Sequence, residues 1–437
     1  DALAAAGFSV EGRPGFGRKR DMLAARFSPS RPSRHAPPAA PIWNERRAIV
    51  IGAGLAGAAV SERLAARGWT IDLIERHPAP ASESSGIAAG VFHPQVSRDD
   101  SVLSRLTRAG FLYALRGWRA LERRGHRFEW ARCGVLQIAK DAREEARLAS
   151  TIRALGHPPE YVDYVPREEA ARLAACAAGT GGLWFPEGGW VRPADLVSAQ
   201  IAAAEARGNL KLHMGVTVHA LDRTGENWRI LSAAGAVIAS APVVVLANSH
   251  DAARLAAPGV ALKRVRGQLT RLPAGSLALP AAVLAGAGHL IPAPDGTAVV
   301  GSTYDFDDES PDPREEGHAG NLERLGRLLP GAAPPLDPAG LAGSVGFRCV
   351  APDRLPLIGE LPDAGAAPSI ARARDLPRLP GLYGAFGYAS RGLTWALLGG
   401  ELIASAVEGE PLPLEGDLAD AIDPARFLLR RARRETF

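Results

Sequence analysis

The stretch Ala48-Ile-Val-Ile-Gly-Ala-Gly-Leu-Ala-Gly57 decides the fold. Ala48 to Ile51 is a short apolar β-run, and glycines follow at the spacing GxGxxG, with Leu55 and Ala56 inside the glycine turn as further cofactor-binding candidates. Ala58 to Arg67 is rich in Ala and Leu at helical spacing, Gly68 can end that helix, and Thr70-Ile-Asp-Leu-Ile74 is a second strand closing on Glu75. Strand, glycine turn, helix, strand and acid within about thirty residues make a βαβ unit. Gly52 permits the tight turn, and Gly54 lets the backbone approach a pyrophosphate at the helix N-terminus. Gly57 lets helix and strand pack closely. Glu75, eighteen residues after Gly57, can accept hydrogen bonds from a ribose diol. A carboxylate there disfavours a 2′-phosphate, so FAD or NAD is expected rather than NADP.

Distant segments favour FAD. Ser84-Ser-Gly-Ile-Ala-Ala-Gly90 is small and polar, and its Ser85, Gly86, Ala88, Ala89 and Gly90 suit a surface against a pyrophosphate or flavin. Val216-Thr-Val218 can flank an adenine, Val218 foremost. Val243-Val-Val-Leu-Ala-Asn248 is a buried strand ending in the small residues Ala247 and Asn248. Gly384-Ala-Phe-Gly-Tyr-Ala-Ser-Arg-Gly-Leu-Thr394 supplies Gly387, Tyr388, Ser390, Arg391, Gly392, Leu393 and Thr394 and leads into an apolar helix. The N-terminus of that helix can stabilise negative charge on a reduced flavin.

The chain has 437 residues, 46% apolar and 22% charged, which excludes a mostly disordered protein and leaves room for two or three domains. No apolar run is long enough to cross a bilayer, and Asp1 to Gly7 lack the pattern of a secretory signal. The opening on Asp1 rather than Met reads as a fragment or a processed form. Cys133, Cys176 and Cys349 are too widely spaced for a disulfide scaffold or a CxxC zinc site, and they suit a reducing cytoplasm. Net charge is +4, which permits a polyanionic partner without demanding one.

Residues 1–27 read as a short helix, a strand from Phe8 to Glu11, a glycine turn and a basic strand or hairpin ending at Phe27. Five prolines in the fourteen residues from Ser28 to Pro41 mark an extended linker. Helices are expected at 102–124, 141–155, 193–207, 315–329 and 393–407. Strands are expected at 210–214, 216–221, 228–232 and 242–247. Short strands alternating with turns over 262–303 suggest a separate, mostly antiparallel sheet, and 343–392 is another glycine-turn region.

Further motifs carry a resemblance: Gly188-Gly-Trp-Val-Arg-Pro193, Arg266-Gly-Gln268, Leu290-Ile-Pro292 with Val300-Gly-Ser302, Arg348, and Pro352-Asp-Arg-Leu-Pro-Leu-Ile-Gly359. Together with the fingerprint they make residues 46–410 similar to the D-amino-acid oxidase and glycine oxidase group of flavoproteins. More specifically, three stretches resemble the bifunctional enzymes of tRNA 5-methylaminomethyl-2-thiouridine biosynthesis: Ala5 to Val10 with Gly15 to Leu23, Ser85 to Gln95, and Pro424 to Arg431. The resemblance implies an α/β fold, with a Rossmann-type FAD-binding domain of the glutathione-reductase-like, D-amino-acid oxidase type. An interleaved α+β substrate domain built on an antiparallel sheet completes it. The division expected is 1–27 as the end of a methyltransferase domain and 28–45 as a Pro-rich linker. Residues 46–98, 190–260 and 345–437 form the FAD domain, and 99–189 and 261–344 the substrate domain. The methyltransferase's glycine-rich loop is missing, so S-adenosylmethionine belongs only to that missing domain.

The resemblance also implies a reaction: oxidation of a carboxymethylaminomethyl group on the wobble uridine of tRNA to an aminomethyl group and glyoxylate, with oxygen as the default acceptor. Arg348 is then the anchor for the substrate carboxylate; otherwise it is a structural arginine paired with an acid such as Asp353. His93 either lines the site or packs, and Arg266 and Gln268 either approach the substrate or end a strand. Tyr388 and Arg391 face flavin or solvent. Some relatives attach flavin through a Cys seven residues before the aspartate matched by Asp353; here that position is Gly346, so dissociable FAD is expected, with Cys349 a packed neighbour. Asp305, Asp307, Asp308 and Glu309 lack the spacing of a calcium loop, and no metal is expected. The basic tail of Arg426, Arg430, Arg431, Arg433 and Arg434, and Arg13, Arg18, Lys19 and Arg20, either meet tRNA or are solvated. The rival readings are an oxidase of free glycine, sarcosine or another small amino acid, and a tRNA-binding module whose flavin is structural.

Overall fold

The computed structural model describes residues 2–28, 41–256, 260–293, 295–365, 373 and 376–435, which leaves most of the Pro-rich linker outside the described residues. The chain divides into two units, Asp1–Pro41 and Ile42–Phe437. The first holds a helix, Ala2–Ala5, and an antiparallel hairpin of Phe8–Pro14 and Asp21–Phe27, in register from Phe8 opposite Phe27 to Pro14 opposite Asp21.

In the second unit a six-stranded sheet runs in the order Leu210–His213, Thr70–Ile74, Arg47–Ile51, Val243–Leu246, Arg378–Phe386, Leu357–Pro362. Neighbours are parallel except for the antiparallel edge strand Leu357–Pro362. Side chains of a strand alternate between faces, and each face here has its own cover. Ala48, Val50, Val243 and Val245 join the core beneath the helices Leu55–Ala65, Pro193–Glu205 and Gly392–Glu408. Ile49, Ile51, Val244 and Leu246 pack with Trp228 and Ile230 of an antiparallel meander, Ala220–Thr224, Asn227–Leu231 and Val237–Ala241. Both faces are buried, which is why these strands read as continuous apolar runs. The expected strand over 216–221 does not form. Residues 216–219 pair with no strand, and pairing begins at Ala220.

The second large sheet has nine strands. Its path is Asp305–Phe306, Lys263–Leu272, Ala298–Gly301, His289–Pro292, Val283–Ala285, Val135–Ile138, Gly182–Phe185, Asp163–Val165, with Ala342–Val350 also paired to Lys263–Leu272. All pairs are antiparallel except Val283–Ala285 against Val135–Ile138. The glycine-turn region at 343–392 therefore contains three strands, Ala342–Val350, Leu357–Pro362 and Arg378–Phe386.

Alternation along Lys263–Leu272 decides what faces what. Arg266, Gln268 and Thr270 lie under the helix Glu315–Leu328, where Gln268 exchanges hydrogen bonds with the Arg314 backbone. On the same face Asn321 donates to Thr270, and His318 bonds it at 2.9 Å. Val265, Gly267 and Leu269 face the other way, opposite Arg348, Gly346 and Ser344 of the partner strand.

Candidate active site

A cavity of about 900 Å³ lies in the second unit. It has a nucleotide limb along the glycine fingerprint and a substrate limb at the face of the nine-stranded sheet.

In the nucleotide limb the glycines are required by space. Gly52 has φ +103°, and a Cβ there would stand 2.7 Å from the Ala247 carbonyl oxygen. A Cβ on Gly57 would stand 1.8 Å from the Gly52 carbonyl oxygen, a backbone atom that cannot move aside. We therefore expect Gly57→Ala to yield insoluble or colourless protein; a soluble yellow variant would contradict this packing role. Gly54 sits beside Ser85, whose Oγ accepts a hydrogen bond from the Leu55 amide at 3.0 Å. Glu75 accepts from the Ala53 amide at 2.8 Å and the His77 amide at 2.9 Å. Each carboxylate oxygen has a second lone pair free for a ribose hydroxyl. Ala56, Val218, Ala247 and Asn248 line the same limb, and Asn248 Oδ1 is buried with no hydrogen-bond partner among the described residues. At its outer end Arg76 donates to Asp251 at 2.8 Å and pairs with Glu83, which His77 also bonds. Burial opposes ionisation of Glu83, but His77 and Arg76 outweigh it and hold its pKa below the ordinary value.

The loop from Ser84 contributes Ser85, Ala89 and Gly90 to the wall. Gly86 and Ala88 do not reach it: Gly86 closes the 3-10 turn Ser84–Gly86 with its amide on the Glu83 carbonyl, and Ala88 faces outward. Gly387, Tyr388, Ser390, Arg391, Gly392, Leu393 and Thr394 all line the cavity, and the N-terminus of the helix Gly392–Glu408 opens onto it. The Tyr388 hydroxyl is buried without a hydrogen-bond partner among the described residues, and a Cβ on Gly399 of that helix would meet it at 2.5 Å. Cys349 lines the wall as a buried thiol whose pKa burial pushes up to about 12.

In the substrate limb Arg348 Nη1 donates to the carbonyls of Thr303 at 3.2 Å and Arg266 at 3.4 Å, and Nη2 donates to Ser302 Oγ. Its guanidinium lies 5.2 Å from the centre of the Tyr304 ring. Among the described residues no carboxylate hydrogen-bonds to it. Asp353 is held instead by Arg426, at 2.9 and 3.0 Å, and by Arg430 at 2.7 Å. That removes the Arg348–Asp353 pairing and ties Arg426 and Arg430 of the tail to Asp353. Arg391 donates to Gln95 Oε1 at 2.6 Å. Burial pulls the pKa of Arg348 and Arg391 below the usual guanidinium value, Arg391 aided by the charge of Arg354. Gln268 and Arg266 point to the opposite face of their strand and do not line the cavity; Gly267 and Leu269 between and beside them do.

His93 lines the limb with Nδ1 2.9 Å from the Pro94 carbonyl and its ring against Phe185. His289, which the sequence motifs passed over by one position, lines it too, and its Nε2 has no partner among the described residues. Burial pushes both imidazoles down to about 4, aided by the Arg391 charge at His93 and by Arg348 and His93 at His289. The unfolded chain takes up these protons near pH 6.5 and the folded one only near pH 4, so folding stability falls as pH drops through that window. We expect the melting temperature of the wild type to fall more steeply there than that of a His93→Gln/His289→Gln variant; parallel curves would contradict the assignment.

Among the described residues no three His, Cys, Asp or Glu side chains gather as a metal would require. Asp305 bonds Thr303 and Arg266, and Asp308 bonds Arg314. No helix of the described residues is long and apolar enough to cross a membrane.

Residues 47–406 match the family described as FAD dependent oxidoreductase. The whole chain is 52% identical to the tRNA 5-methylaminomethyl-2-thiouridine biosynthesis bifunctional protein MnmC of Paraburkholderia xenovorans, of which it covers 68%. It is 53% identical over 99% of its length to the protein of that name from Burkholderia mallei, of which it covers 67%. Among solved structures, glycine oxidase from Geobacillus kaustophilus superposes with a TM-score of 0.70 at 24% identity, covering 86% of this chain and 98% of that one, a likeness of fold.

Proposed function

Because the chain belongs to the FAD-dependent oxidoreductases, and among them to the tRNA 5-methylaminomethyl-2-thiouridine biosynthesis bifunctional proteins, we propose that it oxidises the carboxymethylaminomethyl group on the wobble uridine of tRNA. The products are an aminomethyl group and glyoxylate. The observation that carries this reading is Arg348, a cavity-facing guanidinium that among the described residues bonds only to neutral oxygens. FAD fits the rest of the cavity: the cradle at Gly52 and Gly54, the acceptor Glu75, the unpartnered Asn248 Oδ1 and the helix start at Gly392 are groups that a dinucleotide and a flavin would engage, while Gly57 lies behind the wall and keeps helix and turn together. When bound, FAD accepts the hydride from the substrate's glycyl Cα.

The residues of the chain hold and tune the substrate. Arg348 binds the carboxylate in two parallel hydrogen bonds, fixing orientation as well as charge. Hydride leaves Cα only when the nitrogen lone pair is free. The like charges of Arg348 and Arg391 disfavour a protonated amine beside them. His93 and His289 are neutral imidazoles, so they add no repulsion. The imine that results hydrolyses to glyoxylate and the aminomethyl group.

The division into an FAD domain (46–98, 190–260, 345–437) and a substrate domain (99–189, 261–344) suits this reading, with residues 1–27 closing a methyltransferase domain. Three free cysteines fit a cytoplasmic enzyme. We also propose that FAD is dissociable: Gly346 lines the cavity without a nucleophile, and the Cys349 thiol is held protonated. Acid precipitation should therefore leave the yellow colour in the supernatant; a yellow pellet would contradict it. The test of function is mass spectrometry of wobble nucleosides after incubation with the FAD-loaded chain. Loss of the carboxymethyl group is expected, and turnover of free glycine with untouched tRNA would favour the amino-acid oxidase instead.

A further inference from the structure

The charges on the cavity wall are sorted by limb. Among the described residues, the acids that line it, Glu75, Glu83 and Asp251, all belong to the nucleotide limb, where Arg76 meets two of them. The charged residues lining the substrate limb are all arginines: Arg348 and Arg391 inside, Arg98 and Arg147 exposed at its rim. Tyr304 stands at the same rim, 39% exposed, packed edge-on at 5.3 Å against Phe306, itself 53% exposed. A small amino acid would need only the inner arginines. Two further exposed cations and an exposed aromatic pair match a larger anionic ligand with planar rings.

We propose that Arg98, Arg147 and Tyr304 form the docking surface for the anticodon-loop RNA around the modified uridine, the arginines on phosphates and the tyrosine ring under a splayed base. This rests on the tRNA reading above. Sequence-specific RNA recognition commonly takes unstacked bases onto aromatic rings, with basic side chains following the backbone. Tyr304 joins the rim to the carboxylate anchor, since its ring lies 5.2 Å from the Arg348 guanidinium. The neighbouring acids do not cancel the charge. Arg147 meets Glu144 at 2.7 Å in an exposed pair, the kind worth little and open to exchange for a phosphate. In the acidic run after Tyr304, Asp305 is paired with Arg266, Asp308 with Arg314 and Glu309 with Arg264, which leaves the exposed Asp307 against the two rim arginines. In the basic tail Arg426 is buried and Arg430 is already paired with Asp353, while the side chains of Arg433 and Arg434 lie outside the described residues.

The test uses the FAD-loaded chain and a fluorescein-labelled anticodon stem-loop RNA carrying 5-carboxymethylaminomethyluridine. Arg98→Gln/Arg147→Gln should bind it at least about tenfold more weakly, and the slope of log affinity on log salt should fall by about 0.7 for each phosphate that is no longer neutralised. The visible flavin spectrum, which reports folding of the cavity, should match the wild type. Arg98→Lys/Arg147→Lys should restore most of the affinity. Unchanged affinity and salt slope in the Gln variant, with flavin bound, would overturn the proposal. The two readings fail separately. Flavin that stays oxidised with wild-type protein, while binding still responds to the arginines, defeats the oxidation and leaves the surface. Flavin that is reduced while binding ignores the arginines defeats the surface alone.

Discussion

Arg348→Ala will raise the KM for the modified tRNA at least about tenfold and lower kcat/KM at least about a hundredfold, while FAD stays bound. Each hydrogen bond to a charged group is worth about 1.5–3 kcal/mol, and every 1.36 kcal/mol lost from transition-state stabilisation is about tenfold in rate. Two such bonds to the substrate carboxylate therefore account for the loss. Flavin is retained because the nucleotide limb is built from other segments, around Gly52, Glu75, Ser85 and Asn248. The variant also removes a half-buried cation that, among the described residues, hydrogen-bonds to no carboxylate, so no bonded acid is orphaned. Steady-state kinetics with a flavin absorbance check decides it, and unchanged kinetics would remove Arg348 from the carboxylate.

Gly267→Ala, a substitution that adds one methyl group and no charge, will come close to the same loss. A Cβ at Gly267 would lie 2.0 Å from Arg348 Nη1 and 2.5 Å from Cζ. The guanidinium is the far end of a flexible chain, so it will swing off the strand and leave the Thr303 and Arg266 carbonyls that seat it. The backbone need not move, and the melting temperature should change little. A double-mutant cycle separates this from general damage. In an Arg348→Ala background the added methyl meets no guanidinium, so Gly267→Ala should then cost almost nothing. Additive losses in the double variant would show that Gly267 does not seat Arg348.

The nucleotide limb was legible in the sequence because its signals are local. A βαβ unit places strand, turn and helix within a few residues of one another, and the required glycines at 52, 54 and 57 advertise the close approaches found there. The substrate limb is assembled from strands distant in the chain, and its register is not written locally. Arg266-Gly-Gln268 illustrates the difficulty. Period-two alternation says that Gly267 faces away from its neighbours, but only the pairing of Val265 with Arg348 and Gly267 with Gly346 shows that the glycine side meets the cavity. His289 escaped because nothing in its own neighbourhood distinguishes a cavity histidine from a packed one. The loop Ser84–Gly90 reads in sequence as one small polar surface, whereas the structure exposes Gly86, at the end of its 3-10 turn, and Ala88, beyond it, and leaves both off the wall. The run at 216–219 is apolar enough for a strand, yet it pairs with none.

The most direct measurement mixes the FAD-loaded protein, without oxygen, with tRNA bearing the carboxymethylaminomethyl arm. The flavin should bleach, with glyoxylate released in step, and the Arg348→Ala protein at the same tRNA concentration should stay largely yellow. A wild-type flavin that keeps its colour at saturating tRNA, or that bleaches equally well in the Arg348→Ala protein, would contradict the account.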